Sequence, residues 1–534
     1  MKKLIILLTI LFLGTIFTAY FYFSRINKVN SGVARALNIA THNTAFLFQF
    51  TADEKFMELM SEQSIISELI GPEKSKELLD LKNSLLQNKK ATEILNNKKF
   101  FVSKVISNNS NNILITTQLS DKKEADEFIN HLTTDKKLQK VKNNLYLYET
   151  SDSIKYYGTL IEDVFLLSVN KAIIAEKLDI DLTAPNLFKE YIEKRQEISK
   201  PKLISIYVNF GLVDKYLANF LKGKLDGELA FLNKSKAFAD LNYTYSKDKF
   251  QLFGSTQPDP RNTYISFFSK YKPIPITINN VLPYNTASYK FFGVDNVAKF
   301  QADLDIYFKE QKAFDKVDEV LKKLMSNYNL DFKKIVAEQF KHEMISFQLG
   351  TGERLGAISF KDGDKLNQFF TDLSEQVDGE INIFKEDNIP YTLFGDAFKR
   401  FTRPYFVIKD NNLIFTPNLS TLKNYLNDFN AGKVLTQNTD YSKFRNEFPH
   451  EANIVFFYNL QVGKPIIQRD LKPEFYRAFN QKITWGNYLY WTYQMSGDNG
   501  IFNTNFLLNK KAPTIENQPL TKDELDSLKA EIKL

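Results

Sequence analysis

Cysteine is absent from the chain. Disulfides, thiolate metal sites, a cysteine nucleophile and a lipid-modified cysteine are excluded together, and a chain without thiols enters an oxidising compartment with nothing to mispair. Charge of one sign is scarce as well. The net charge of +7 comes mostly from Lys2, Lys3, Arg25, Lys28 and Arg35, with no acid before residue 36, which leaves 65 basic against 63 acidic residues in the remainder. A nucleic-acid binder needs a basic face, and none is concentrated here. Only 4 histidines occur, His42, His131, His342 and His450, and they share no ligand spacing. His342-Glu343 begins like a zinc-protease helix, but Ser346 stands where the second histidine belongs. A phosphate loop, a Gly-x-Ser-x-Gly elbow and a calcium loop are also missing. The stretch Gly350 to Gly356 has the wrong glycine spacing for a dinucleotide fingerprint and lies between two strand patterns, which makes it a hairpin turn. Asp179-Ile180-Asp181 and Pro258-Asp259-Pro260 read as solvated turns. No catalytic, cofactor-binding or metal-ligating residue is named on these grounds, and the chain is expected not to be an enzyme.

One long hydrophobic run is present. Leu4 to Phe23 carries no charge, and as a helix rising about 1.5 Å per residue it spans the roughly 30 Å hydrocarbon core of a bilayer. Lys2 and Lys3 precede it, Tyr20 and Tyr22 sit near its far end where an interfacial belt belongs, and Arg25 closes it. A cleaved signal peptide is the competing reading, but the bulky residues ending the run make a poor cleavage site. Residues 1–30 are therefore expected to be a transmembrane signal anchor, crossing a bacterial inner membrane once through residues 4–23 with the body in the periplasm.

The 534 residues are too many for one ordinary domain, and 43% hydrophobic with 25% charged residues is the composition of a folded chain. Aromatics reach 14% through 47 Phe and 26 Tyr against 2 Trp, favouring strands and filled cores, or alternatively an apolar ligand groove. Compared with itself, the chain repeats in order. His42 to Phe48 returns at Tyr284 to Lys290, Ile115 to Leu119 at Ala357 to Phe360, Phe165 to Ser168 at Leu413 to Thr416, Ile204 to Asn209 at Ile454 to Asn459, and Leu241 to Tyr245 at Leu489 to Tyr493. The offset drifts only from 241 to 250, which points to a tandem duplication. Pro258, Pro260, Pro273, Pro275 and Pro283 crowd the junction. The expected division is a repeat unit at 31–256, a proline-rich connector at 257–279, a second unit at 280–511, and a polar tail with a short helix at 512–534.

Within the first unit, period-2 segments predict strands at Ala45–Phe50, Phe100–Ile106, Ile113–Leu119, Leu145–Tyr148, Val164–Val169, Leu203–Val208, Ala237–Tyr245 and Phe250–Ser255. Helices are expected at Glu73–Leu86 and Lys123–Leu132. In the second unit Asp295 is expected to cap a helix bearing Val297, Phe300 and Leu304, and Asp362 one bearing Leu366, Phe369, Phe370 and Leu373. Tyr264–Phe268 is available for one short connector strand. The fold class is α+β: two tandem related domains, each a largely antiparallel sheet with helices on one face, after one N-terminal transmembrane helix.

The leading anchor, the Asn43-Thr44-Ala45-Phe46 strand with its echo at Asn285-Thr286-Ala287, and the closing strand pair Ala237–Ser255 resemble an uncharacterised bacterial family of N-terminally anchored envelope proteins. That family often opens with a Pro-x-Asp-Thr-Ala type strand, and this chain departs from it at His42-Asn43. The resemblance implies an envelope location and assigns no functional residue or cofactor. The expected function is a membrane-anchored extracytoplasmic binding or scaffold protein with an envelope protein partner; the alternatives are a carrier or chaperone for an apolar ligand such as lipid, or a hydrolase of unfamiliar type.

Overall fold

The computed structural model describes residues 34–51, 88–107, 110–134, 138–142, 144–150, 154–198, 204–223, 236–244, 249–259, 263–473, 475–476 and 488–510. The Leu4–Phe23 run, the Glu73–Leu86 helix and the 512–534 tail lie outside them. Among the described residues no helix is long and apolar enough to cross a membrane.

Up to Pro258, a helix at 34–41 leads into strands β1 (Thr44–Thr51), β2 (Lys99–Ser107), β3 (Ser110–Gln118), β4 (Leu138–Lys142), β5 (Leu145–Glu149), β6 (Lys155–Ile161), β7 (Val164–Ser168), β8 (Ile204–Asn209), β9 (Ala237–Thr244) and β10 (Lys249–Pro258). Helices α1 (Lys89–Leu95), α2 (Lys122–Thr134), α3 (Lys171–Leu178), α4 (Leu187–Ile198) and α5 (Phe210–Ala218) connect them. Local chemistry accounts for these elements. In β2, Phe101, Ser103, Val105 and Ser107 are buried while the residues between them are not, the period-2 signature of a strand. In α2 the buried residues Ala125, Phe128, Ile129 and Leu132 form a stripe at helical spacing.

Beyond Pro258 come β11 (Ile274–Pro275), β12 (Thr286–Gly293), β13 (Phe340–Leu349), β14 (Arg354–Phe360), β15 (Ser374–Asp378), β16 (Ile381–Phe384), β17 (Tyr405–Lys409), β18 (Asn412–Thr416), β19 (Glu451–Ala452), β20 (Ile454–Asn459), β21 (Tyr488–Asp498) and β22 (Ile501–Lys510). The helices here are α6 (Val297–Glu310), α7 (Phe314–Tyr328), α8 (Phe332–Gln339), α9 (Gly363–Phe370), α10 (Ile389–Phe394), α11 (Leu419–Asn430), α12 (Thr439–Arg445) and α13 (Lys464–Asp470). Apart from the small β11–β19 pair, all strands belong to one 20-stranded sheet.

The strand order is β4-β5-β6-β7-β3-β2-β1-β8-β9-β10 and then β22-β21-β20-β12-β13-β14-β18-β17-β16-β15, antiparallel at every step. From either outer edge inward the same sequence of connections is met. Details recur with it. β1 has a bulge between Thr44 and Phe46 against β2, and β12 has one between Thr286 and Ser288 against β13. Asn170 caps α3 and Asn418 caps α11, while Asp121 accepts from the Glu124 amide in α2 and Asp362 from the Lys365 amide in α9. At the midline β10 pairs with β22 from Lys249↔Asn509 to Thr256↔Phe502, and Leu221 bridges Leu471 where α5 and α13 end.

The α+β class with its large antiparallel sheet is as expected; its layering is not. Helices cover both faces rather than one. On the front, α3, α4 and the 34–41 helix pack on Leu47, Phe101 and Tyr207, and α11 and α12 pack on Tyr289, Ile345 and Phe457. On the back, α1 and α2 pack on Phe165 and Leu167, and α6 to α10 pack on Phe292, Met344 and Phe456. β20 is buried throughout, and a strand covered on both sides becomes a continuous apolar run. Two local expectations are also corrected. Tyr264–Phe268 is not a strand: Ser266–Lys270 is a 3-10 helix, and Tyr264, Phe267, Phe268 and Tyr271 are buried in the aromatic core beneath α6. The cap of α6 is Asn296, whose side chain accepts from the Lys299 amide, rather than Asp295 one residue earlier.

Candidate functional site

The residues singled out for chemistry do not converge. His342 lies in β13 with Nδ1 2.6 Å from the Val294 carbonyl oxygen, His131 sits in the last turn of α2, and the His450 carbonyl accepts from the Ile276 amide. His42 is in the turn before β1, its Nδ1 3.5 Å from Lys177 Nζ. Among the described residues no group of three or more His, Asp or Glu side chains is placed to hold a metal ion. Gly350–Gly356 spans the β13–β14 hairpin, with Gly352 at φ +104. The repeated Asn-Thr-Ala stretches build the entries to β1 and β12: the Thr44 hydroxyl donates to the Ala40 carbonyl, Thr286 to that of Pro283, and Ala45 and Ala287 are fully buried.

Two deeply buried charges also serve structure. Lys177 is 1% exposed and donates to the His42 carbonyl at 2.8 Å, and burial pulls its pKa down to about 8. Glu343 accepts from the Thr277 amide at 2.5 Å, from the Thr277 hydroxyl and from the Ile278 amide at 3.4 Å, and burial raises its pKa.

What converges instead is a set of neutral polar side chains on the front of the central strands. Side chains directly opposite each other in neighbouring strands share a face, so the register fixes two rows. One runs Gln49, Ser205, Asn242, Phe253, Asn505, Gln494 through β1, β8, β9, β10, β22 and β21. With strands about 4.8 Å apart it extends roughly 24 Å. The neighbouring row is Tyr207, Asp240, Ser255, Asn503, Ser496.

Each end of these rows is roofed. On one side α4 covers it: Gln196 Nε2 donates to Gln49 Oε1 at 2.8 Å, and Arg195 Nε lies 3.5 Å from Asp240 Oδ2. On the other, Gln494 Nε2 donates to the carbonyls of Pro449 and Glu451 at 2.8 and 3.1 Å. Between the roofs the floor is open. Phe253 is 40% exposed, Asn503 is exposed, and Asn242 and Asn505 are half-buried. Lys249 Nζ reaches Glu447 at 3.1 Å and ties β10 to the segment after α12.

The charges of this saddle are few and largely paired. Asp240 is 3% exposed and faces Arg195, so the pair presents no net charge. Tyr207 is pushed up to about 12, first by burial and then by the Asp240 charge, and burial also raises Tyr191. Both hydroxyls therefore stay protonated near neutral pH and do not serve as bases. Gln494 is fully buried and its Oε1 has no hydrogen-bond partner among the described residues. The arrangement offers amide donors and acceptors beside one aromatic ring and places no nucleophile next to a base. The sequence marks these residues only as strand positions, because a row assembled from β1 and β22 has no local spacing.

The aromatic excess is spent on packing in the C-terminal half. The apolar space between the sheet and α8 to α10, lined by Phe332, Phe360, Phe370 and Phe394 among others, amounts to about 10 Å³, on the order of one water-sized sphere.

No family model matches the chain, and no curated protein matches it. Among solved structures, crystal form IV of TP0453 aligns with a TM-score of 0.22 and 13% identity, covering 43% of this chain and 82% of that one. A likeness of that size carries no argument about fold or function.

Proposed function

We propose that the chain is a membrane-tethered extracytoplasmic binding protein made of two tandem related units, whose shared central face takes an extended, neutral, polar ligand. The observation that carries this is the open saddle around Phe253, Asn503 and Asn505, where the last strand of each proposed unit meets the other and the roofing helices stop. Common descent of the units is supported by the matching order of connections, the matching bulges and the matching caps. Tethering rests on the Leu4–Phe23 run alone. A lipid carrier is disfavoured in the C-terminal half by the filled core beneath α8 to α10.

A photoreactive benzoylphenylalanine in place of Phe253, with one in place of the exposed Met325 on α7 as control, tests the site in source cells. A recurrent adduct from position 253 that is missing from position 325 is the expected result; no adduct, or the same adducts from both, removes the reading. Deleting residues 4–23 is expected to move the protein from the membrane to the soluble fraction, and retention in the membrane would refute the tether.

A further inference from the structure

We propose that the ligand of the central face is an uncharged glycan strand, with Phe253 as the stacking platform and the flanking amides as hydroxyl readers; this rests on the face being a binding site. Four features of the face select that class. First, β9, β10, β22 and β21 each have both neighbours in place, so their backbones are consumed by the ladder and only side chains are offered. An extended peptide gains most from an unpaired strand edge, and no edge exists here. Second, the charges around the floor are the Arg195–Asp240 pair, the Lys249–Glu447 pair and Asp498, whose Oδ2 lies 3.5 Å from Asn503 Nδ2, so no excess positive charge is gathered there, which disfavours acidic polymers and nucleic acid alike.

Third, the side chains presented are Asn503, Asn505 and the half-buried Asn242, which accepts from the Ser205 hydroxyl and donates to the Phe253 carbonyl, around a single exposed ring; Ser255 is buried. Amides both donate and accept, which suits the paired donor and acceptor character of sugar hydroxyls, while a ring face suits the apolar C–H side of a pyranose. Fourth, Gln494 closes the row under the roof, 0% exposed and with no partner for Oε1 among the described residues, so the floor ends against a polar wall rather than an apolar one. The open floor from β9 to β22 spans two strand spacings, roughly 10 Å, which accommodates about two sugar rings between the roofs.

The test is calorimetric titration of the full-length chain with cellohexaose, chitohexaose and laminarihexaose. At least one is expected to bind, with Phe253→Ala weakening it at least tenfold, Asn505→Ala and Asn242→Ala each by three- to tenfold, and Phe253→Trp retaining it. Unchanged melting temperatures establish that the variants are folded. Absence of binding by all three at millimolar concentration overturns the glycan assignment, as does binding that Phe253→Ala leaves intact. If the position-253 adduct still forms in cells in either case, the face remains a binding site for another class of ligand; if it does not, both readings fall.

Discussion

Lys177 shows what a single buried charge does to the molecule. Its pKa of about 8 in the fold lies below the ordinary 10.5, so between those values the unfolded chain holds more protons than the folded one. Stability therefore rises with pH across that window, and the cost of burying the charge is fully present below it. Tyrosines act in the opposite sense at higher pH. Burial raises Tyr289 and Tyr441, so the unfolded chain releases their protons first and stability falls above about pH 10. Urea midpoints are expected to rise from pH 7.5 to 9.5, by about 1–2 kcal/mol in stability, and then decline. Lys177→Met should flatten the rise; a slope that survives the substitution would assign it elsewhere. At Glu343 the expectation is a loss. Glu343→Ala leaves the amides of Thr277 and Ile278 without their buried acceptor and should cost about 2–4 kcal/mol by urea denaturation.

Elements at corresponding positions are held by corresponding chemistry, which makes them testable in pairs. Asn170→Ala and Asn418→Ala each remove the acceptor at a helix start and should each cost about 1 kcal/mol in chemical denaturation. A change at one cap and none at the other would mean that the two sites are not held alike. Much of this layer is legible in the sequence. Asp362 is recognisable as a cap from its place before an apolar stripe, and β3, β5, β7, β8, β9 and β10 follow from alternation to within three residues at either end. What escapes has identifiable causes. Asn296 displaces Asp295 because both residue types cap equally well and only the backbone decides between them. Tyr264–Phe268 has the aromatic content of a strand, yet burial against α6 turns it into a 3-10 helix. Two-sided covering is written in Ile454–Asn459, where six residues are buried in succession, but the run does not say which helices lie on which side. The candidate site is illegible for a further reason: Phe253 and Asn505 become neighbours only through the register of β10 on β22.

At the scale of the whole molecule, that register predicts cooperativity. Eight consecutive residue pairs join β10 to β22, and the Leu221–Leu471 bridge adds a second seam on the back. Thermal unfolding of the described body is expected as a single transition with agreeing calorimetric and van't Hoff enthalpies; two separated transitions would show that the seam does not couple the halves. Gly254, beside Phe253, is a direct handle on it. An added Cβ there would meet the Asp240 carbonyl oxygen at 1.7 Å, so Gly254→Ala should lower the melting temperature by several degrees while a substitution at the open turn residue Gly379 to Asn does not. The same seam orders events in time. β22 spans Ile501–Lys510, so a ribosome must have passed residue 510 before β10 can acquire its full second neighbour. Until then a nascent chain carries a bare strand edge bearing Phe250 and Leu252, and stalled or truncated translation products would expose the surface most prone to aggregation.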